Sequence, residues 1–358
     1  MRVVATGGAG YIGRHTVLRL LRDGHDVLVI DDFSNASRDV IARLTEETGR
    51  RPQVLVADVR DVGACATAMA RFRAESVIHF AGLKDVAASV QDPARYHAVN
   101  VGGVQGILDA MTRAGCETLV FSSSAAVYGA PQTLPIPEAH PLRPLSPYGE
   151  TKRLAEQLVS GWARAAEGRR AVSLRYFNPA GAAPALIRPG DEAPGCDSLV
   201  ARVSEVAAGL TAGIEIFGSD YDTPDGTGLR DFLHIDDLVA GHLAVLARIE
   251  GLAPGTALNL GSGGGATVLE LLRCYERVSG CAVPHSLGAR RAGDIPASWA
   301  DTSAAQRLLG WRARHDLAEI CASAWTAVTL AAPLQRSDRG MEYSNAIYAP
   351  SSSLPRSS

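Results

Sequence analysis

The sequence predicts an α/β protein: a doubly wound parallel sheet with helices on both faces, and a smaller domain built from the C-terminal part. Short apolar runs alternate with amphipathic runs of helical period through the first 176 residues. The apolar runs lack clean polar alternation, the pattern of strands covered on both faces. A glycine-rich turn joins the first strand to the first helix.

The elements follow in order. Residues 1–5 form an apolar strand, and the helix after the turn runs to about Asp23, with Ile12, Val17, Leu20 and Leu21 on its apolar side. Gly24 stops that helix, and residues 25–30 enter a second strand that ends at Asp31. A helix near 38–48, a strand at 53–57, a helix near 65–73 and a strand at 76–80 repeat the unit. The pattern continues through a helix over 93–114, a strand at 118–122, a helix opening near Pro147 and a strand at 171–176. Beyond Asn178 the texture changes: residues 181–195 are rich in Ala, Gly and Pro and predict a loop, followed by a helical pattern over 199–210 and a strand-like 214–217. These features place one domain at 1–176, with segments around 231–246 packing back on it, and a second at 177–334. Residues 335–358 sustain no apolar period and predict a flexible tail.

Composition narrows the function classes. Of 358 residues, 46% are hydrophobic and 20% charged, the balance of a globular protein and not of a disordered one. The formal charge of −3 is spread without long runs of one sign, and no basic stripe interleaved with aromatics offers itself to nucleic acid. No run approaches the about 18 apolar residues that would cross a bilayer. The first residues read as a strand instead of a leader, so a cytoplasmic location without membrane attachment is expected. Six cysteines lie far apart with no C-x-x-C pair, which argues for reduced thiols and against a zinc site; no metal is expected.

The turn between the first strand and helix reads Gly7-Gly8-Ala9-Gly10-Tyr11-Ile12-Gly13. Gly7 can make the tight turn, Gly10 lets backbone approach a pyrophosphate, and Gly13 permits close helix packing, while the helix N-terminus offers N–H groups to an anion. Asp31, eighteen positions beyond Gly13, can accept the hydroxyls of an adenosine ribose and would repel a 2′-phosphate, which selects NAD over NADP. Asp58 follows another strand and can meet the adenine amino group, with Val59 beside the ring; a local turn cap is the alternative role for Asp58. Ser124 lies just past a predicted strand, and Tyr148 and Lys152 are four apart on the helix after Pro147. A lysine cation on the same helical face can lower a phenol from its ordinary pKa of roughly 10, and a serine hydroxyl can share the substrate oxygen. That set suits oxidation of an alcohol beside a nicotinamide.

The motifs T-G-G-A-G-Y-I-G, H-F-A-G-L-K, S-S-S-A-A-V-Y-G, S-P-Y-G-E-T-K, R-Y-F-N-P-A-G-A and D-G-T-G-L-R-D-F-L-H-I-D-D-L together resemble UDP-glucose 4-epimerases of the extended short-chain dehydrogenase/reductase family, over most of residues 1–328. The resemblance implies a Rossmann-like NAD-binding domain and a UDP-sugar-binding domain. It implies a cofactor site at Gly7, Gly10, Tyr11, Ile12, Gly13, Asp31, Asn35, Asp58, Val59, Phe80, Ala81, Lys84, Asn100, Tyr148, Lys152 and Tyr176. Tyr148 is implied as catalytic acid/base, with Lys152 and Ser124 as its partners. The implied substrate site comprises Ser124, Tyr148, Asn178, Leu199, Phe217, Arg230, Arg291, Asp294 and Ser298. The implied reaction oxidises C4 of a UDP-hexose, transiently reduces a retained NAD, turns the 4-keto sugar and returns the hydride to its other face. A homodimer through helices corresponding to 93–114 and 148–165 is implied as well.

Ser298 is small where some such relatives carry tyrosine, so UDP-GlcNAc and UDP-GalNAc are expected substrates besides UDP-glucose and UDP-galactose. The chain departs from the family pattern at Ala182-Ala183-Pro184, at Ser198, where an asparagine is usual, and at Ala201, where a proline is usual. Two other readings stand beside the epimerase: a nucleotide-sugar dehydratase, against which Ala125 and Ala126 replace the usual Asp-Glu pair, and a noncatalytic NAD-sensing protein.

Overall fold

The computed structural model describes residues 1–187, 198–291 and 293–331. The N-terminal half alternates β1 (Arg2–Thr6), α1 (Tyr11–Arg22), β2 (Asp26–Asp31), α2 (Asp39–Thr48), β3 (Gln53–Val56), α3 (Val62–Phe72) and β4 (Ser76–His79). Two short helices, α4 (Val86–Gln91) and α5 (Pro93–Tyr96), lead through a π turn (His97–Val101) into α6 (Gly102–Ala114), β5 (Thr118–Ser124), α7 (Pro147–Arg164) and β6 (Arg170–Tyr176). The remainder carries β7 (Asn178–Ala180), α8 (Leu199–Ala207), β8 (Ile214–Phe217), β9 (Leu229–Arg230), β10 (Phe232–His234), α9 (Ile235–Arg248) and β11 (Thr256–Leu260). It closes with β12 (Ala266–Thr267), α10 (Val268–Ser279), β13 (His285–Gly288), β14 (Ala297–Ser298), α11 (Ser303–Leu309) and α12 (Leu317–Ala331).

Seven strands form one sheet in the order β3-β2-β1-β4-β5-β6-β11, and every pair is parallel. Successive residues of β1 feed opposite cores: Val3 and Ala5 pack with Leu20, Leu44 and Leu238, whereas Val4 packs with Met69, Ile107 and Phe121. Both faces are therefore apolar, which is why the strand sequences show no polar alternation. The order reverses beside β1, with β2 on one side and β4 on the other, and this opens a crevice above the carboxyl ends of the strands.

The chain returns to this sheet after β6. Leu238, Val245 and Leu246 of α9 join the core against α1, and β11, a strand the sequence reading did not anticipate, pairs with β6. Leu309 and Trp311 follow them, and the Trp311 indole donates to the Asp237 carbonyl at 3.0 Å. The remaining segments build small sheets, β12-β9-β14, β13-β8 and β10-β7, around a third core of Val203, Leu271, Tyr275 and Ile320.

Two elements differ from expectation. The helix predicted over 93–114 is interrupted by the π turn, whose wider loop turns Asn100 inward, and the helix predicted over 199–210 stops at Ala207 before Gly209 (φ +73°). The predicted loop at 181–195 is described only as far as Ile187, where β7 gives way to a 3-10 turn (Pro184–Leu186). The rest of that loop, Cys196 and the predicted tail at 335–358 lie outside the described residues. Among the described residues no helix is long and apolar enough to cross a membrane.

Candidate active site

The glycine turn sits at the head of the crevice. Gly7 has φ +66°, and a Cβ there would meet the Ala81 nitrogen at 2.6 Å; a Cβ on Gly13 would lie 2.1 Å from the Gly7 oxygen. Only hydrogen fits at either position. No side chain caps α1 at Gly10 and its first turn carries no acid, so its N-terminal N–H groups remain available to an anion. Asp31 is buried, with Oδ2 accepting from the Ala9 nitrogen at 2.9 Å and Oδ1 from the Phe33 nitrogen at 2.9 Å. Burial pushes its carboxyl up and those two bonds pull it back. The residues present therefore fit a dinucleotide: a cradle without side chains beside a carboxylate locked in place.

The other expected cofactor residues ring the crevice. Tyr11 donates its hydroxyl to the Gly181 carbonyl at 2.6 Å, Ile12 packs on the core, and Asn35 is exposed. Val59 is buried against Gly103 and Gly106 of α6. Asp58 departs from the simple reading: both its oxygens are engaged by Arg60, at 2.9 Å from Nε and 2.5 Å from Nη2, and this pair holds its carboxyl below the usual range. Phe80 tilts against the His242 ring with centroids 5.1 Å apart. The Asn100 amide grips the Leu83 backbone, accepting at 2.8 Å and donating at 3.0 Å, and donates to the Thr151 hydroxyl at 3.0 Å. Tyr176 is buried and hydrogen-bonds His242 Nε2, while His242 Nδ1 lies 2.8 Å from the Leu238 carbonyl. The chain contains two lysines, exposed Lys84 and buried Lys152, against 33 arginines, and both fall in this set.

Helix α7 begins where it does because Ser146 accepts from the Gly149 nitrogen at 3.1 Å and Pro147 occupies the first turn. That start aims Tyr148 and Lys152 at the end of β5. The Tyr148 hydroxyl lies beside Ser124, near enough for that serine to act on its phenol. Lys152 Nζ donates to the Ser122 carbonyl at 2.8 Å and stands 5.1 Å from the Phe121 ring centre and 6.0 Å from that of Tyr148. Burial pushes the Lys152 amine down to about 8, opposed by Glu156. Burial raises Tyr148, and Ser124 is what pulls it back. The i, i+4 spacing shares a helical face, but the strand end claims the ammonium.

On the opposite side of the crevice, β9 and β14 set Ser298 directly beside Arg230 in register. Ser298 is buried and Arg230 half-buried; desolvation lowers the guanidinium and Asp294 opposes that shift. The Arg291 guanidinium lies 3.7 Å above the centre of the Phe217 ring. Exposed Asn178 opens β7 and Leu199 opens α8. Ser198, which departs from the family pattern, is the cap of α8, accepting from the Ala201 nitrogen at 3.2 Å.

Sequence reasoning missed three supports. Asp231 is fully buried; its carboxylate accepts from Ser262 nitrogen and hydroxyl at 2.6 Å each, Ala300 nitrogen at 3.0 Å and Gly263 nitrogen at 3.3 Å, tying Arg230 to the end of β14. His242 and the Glu156–Arg175 pair are likewise buried. In the sequence they look like ordinary helix and strand polars; the only signal was charge inside apolar runs. A separate trio, His234, Asp236 and His315, brings possible ligand atoms within 4.8 Å. Its imidazoles stack 4.3 Å apart at 22°, so their in-plane lone pairs run side by side instead of converging on an ion.

Residues 3–261 match the model of the NAD dependent epimerase/dehydratase family. The UDP-glucose 4-epimerase of Bacillus subtilis is 42% identical over 326 residues, covering 91% of this chain and 96% of that protein. The structure of the Stenotrophomonas maltophila UDP-glucose 4-epimerase with NAD and formylated UDP-arabinopyranose superposes with a TM-score of 0.87 at 40% identity, covering 92% of this chain and 98% of that one. That of Bifidobacterium longum with NAD+ and UDP does so with a TM-score of 0.86 at 38% identity, covering 92% and 98%. With its cofactor cradle, its serine-tyrosine-lysine set and this likeness along nine-tenths of its length, the chain belongs to the NAD dependent epimerase/dehydratase family.

Proposed function

We propose that the protein interconverts UDP-glucose and UDP-galactose by oxidising the C4 alcohol and reducing the ketone from its other face. One observation carries the reading: a buried tyrosine beside Ser124, one helical turn from a buried lysine, at the strand edge that also bears the glycine turn. Bound NAD supplies a reversible hydride acceptor. The cradle of Gly7, Gly10 and Gly13 takes its pyrophosphate, Asp31 its adenosine ribose, Asp58 and Val59 its adenine, and Phe80, Lys84, Asn100, Lys152 and Tyr176 its nicotinamide side.

Tyr148 accepts the C4 hydroxyl proton as the alcohol is oxidised and gives it back as the ketone is reduced. Ser124 hydrogen-bonds the same oxygen, and the Lys152 cation stabilises the phenolate. Each transfer is reversed within one cycle, so no co-substrate is consumed. Arg230 and Arg291 clamp the diphosphate, Phe217 packs on uracil and Asp294 accepts from the ribose, with Asn178 and Leu199 completing the lining. Anchoring at the nucleotide leaves the hexose free to turn over. Supplying UDP-glucose and UDP-galactose separately tests this: both must converge on one mixture. A lasting deoxy-keto product would instead mark a dehydratase, a reaction for which Ala125 and Ala126 provide no acid or base.

The proposal extends to UDP-GlcNAc and UDP-GalNAc, because the Ser298 side chain leaves room for an acetamido group. Ser298→Tyr is expected to abolish conversion of the N-acetylated pair and spare the other; equal loss of both removes the size argument. A homodimer through α6 and α7 belongs to the same reading, and a monomer mass by light scattering would contradict it.

A further inference from the structure

Three consecutive serines end β5, and each meets a different turn of α7. Tyr148, Lys152 and Glu156 stand at i, i+4 and i+8. Ser124 lies beside the Tyr148 hydroxyl, the Ser122 carbonyl accepts from Lys152 at 2.8 Å, and Ser123 donates its hydroxyl to Glu156 Oε1 at 2.5 Å. The first two rungs are the proposed chemistry. The third has no assigned role.

Glu156 is buried and its carboxylate is clamped by Arg175, Nε to Oε1 at 2.9 Å and Nη2 to Oε2 at 2.7 Å. The remaining Arg175 nitrogen donates to the Tyr128 hydroxyl at 2.9 Å and the Glu138 carbonyl at 3.0 Å. Tyr128 donates onward to Asn259 Oδ1 at 2.6 Å. A buried pair of this kind is often no more stabilising than apolar residues of equal volume, so its presence here asks for a use beyond stability.

The groups around Lys152 indicate that use. On α7 Tyr148 stands one turn before it and Glu156 one turn after it, while the Phe121 ring and Ser122 carbonyl face it from β5, His79 from β4, and Asn100 from the π turn. His79 is buried and pushed down to about 3, so it is neutral at working pH. Glu156, paired with Arg175, is thus the one carboxyl group among these. We infer that Glu156 is a positioning residue: its carboxylate keeps the Lys152 amine charged, and through Ser123 it fixes the strand end that presents Ser124 to Tyr148.

The inference rests on the proposed epimerase for its kinetic consequences, but its central test does not. With two lysines in the chain, protein carrying ¹³C at the lysine ε-carbons gives two NMR signals, which Lys84→Arg assigns. The NAD-loaded full chain is titrated as wild type and as Glu156→Gln. The Lys152 midpoint is expected to fall by about one pH unit, a tenfold change in its proton affinity, with the alkaline limb of turnover moving down alongside it. An unmoved midpoint overturns the inference, whatever happens to stability. If Glu156→Gln does not fold, Glu156→Gln with Arg175→Met removes both charges and is read the same way, since Glu156 and not Arg175 acts on the Lys152 amine. Ser123→Ala keeps the carboxylate; turnover is expected to fall several-fold at unchanged KM and unchanged Lys152 midpoint, and unaltered turnover removes the strand-end role. A midpoint that moves while turnover ignores it supports the coupling and contradicts the catalytic use of Lys152, so the two failures are told apart.

Discussion

Around the glycine turn, polar groups of the crevice are fixed by backbone at or just beyond the carboxyl ends of the large sheet's strands: Asp31 by Ala9 and Phe33, Asn100 by Leu83, Lys152 by Ser122. Across the crevice, Arg230 and Ser298 ride on strands of two residues, and Arg291, Asp294 and Asn178 stand exposed on loops or strand ends. The difference follows from the task proposed for each side. A retained hydride acceptor needs one rigid geometry, whereas a sugar that must turn over needs a firm nucleotide anchor and little else.

Substitutions on the two sides should therefore fail differently. Tyr148→Phe, on the rigid side, is expected to reduce turnover by about 10²–10⁴-fold with NAD content and melting temperature close to wild type; near-normal turnover would remove Tyr148 from the chemistry. Arg230→Ala, on the anchor side, should instead weaken UDP binding by roughly 10–100-fold, as expected for a charged hydrogen-bonding group worth about 1.5–3 kcal/mol. Calorimetry with UDP checks it, and an unchanged affinity would break the contrast. Gly13→Ala places a Cβ 2.1 Å from the Gly7 oxygen. An overpacked contact of about 1–3 kcal/mol should lower NAD retention by about tenfold while leaving UDP affinity intact; full NAD occupancy would show that the turn has slack.

The last effect concerns pH. His15, His79 and His242 are buried and pushed down to about 3, about 3 and about 4. The unfolded chain takes up these protons near pH 6.5 and the folded chain only near 3 to 4, so the unfolded state binds more protons throughout that window. Stability should fall as pH drops from about 6.5. Denaturant midpoints that stay level from pH 6.5 to 4 would contradict this.

The same contrast explains what could be read in advance. Strands buried on both faces, a glycine turn and a tyrosine-lysine spacing are local patterns, so the sheet was legible from residue types and intervals, and so were the residues proposed for the redox centre. Asp231, His242 and the Glu156–Arg175 pair act through partners up to 69 positions away, and only a polar group inside an apolar run marks them. Strand β11 joins its sheet only because β6 lacks a neighbour there, a fact of topology that its own five residues do not carry. The substrate residues were visible through family likeness alone, since an arginine on a two-residue strand looks like any surface arginine. Lys152 shows the limit of spacing: four residues put it on the face of Tyr148, but the Ser122 carbonyl decided where its charge rests.

The central claim is that one sugar carbon gives up a hydride and regains the same one. UDP-galactose deuterated at C4, incubated with NAD-loaded protein in ordinary water, should yield UDP-glucose that keeps its deuterium at C4. Label lost to solvent or found on another carbon would contradict the account.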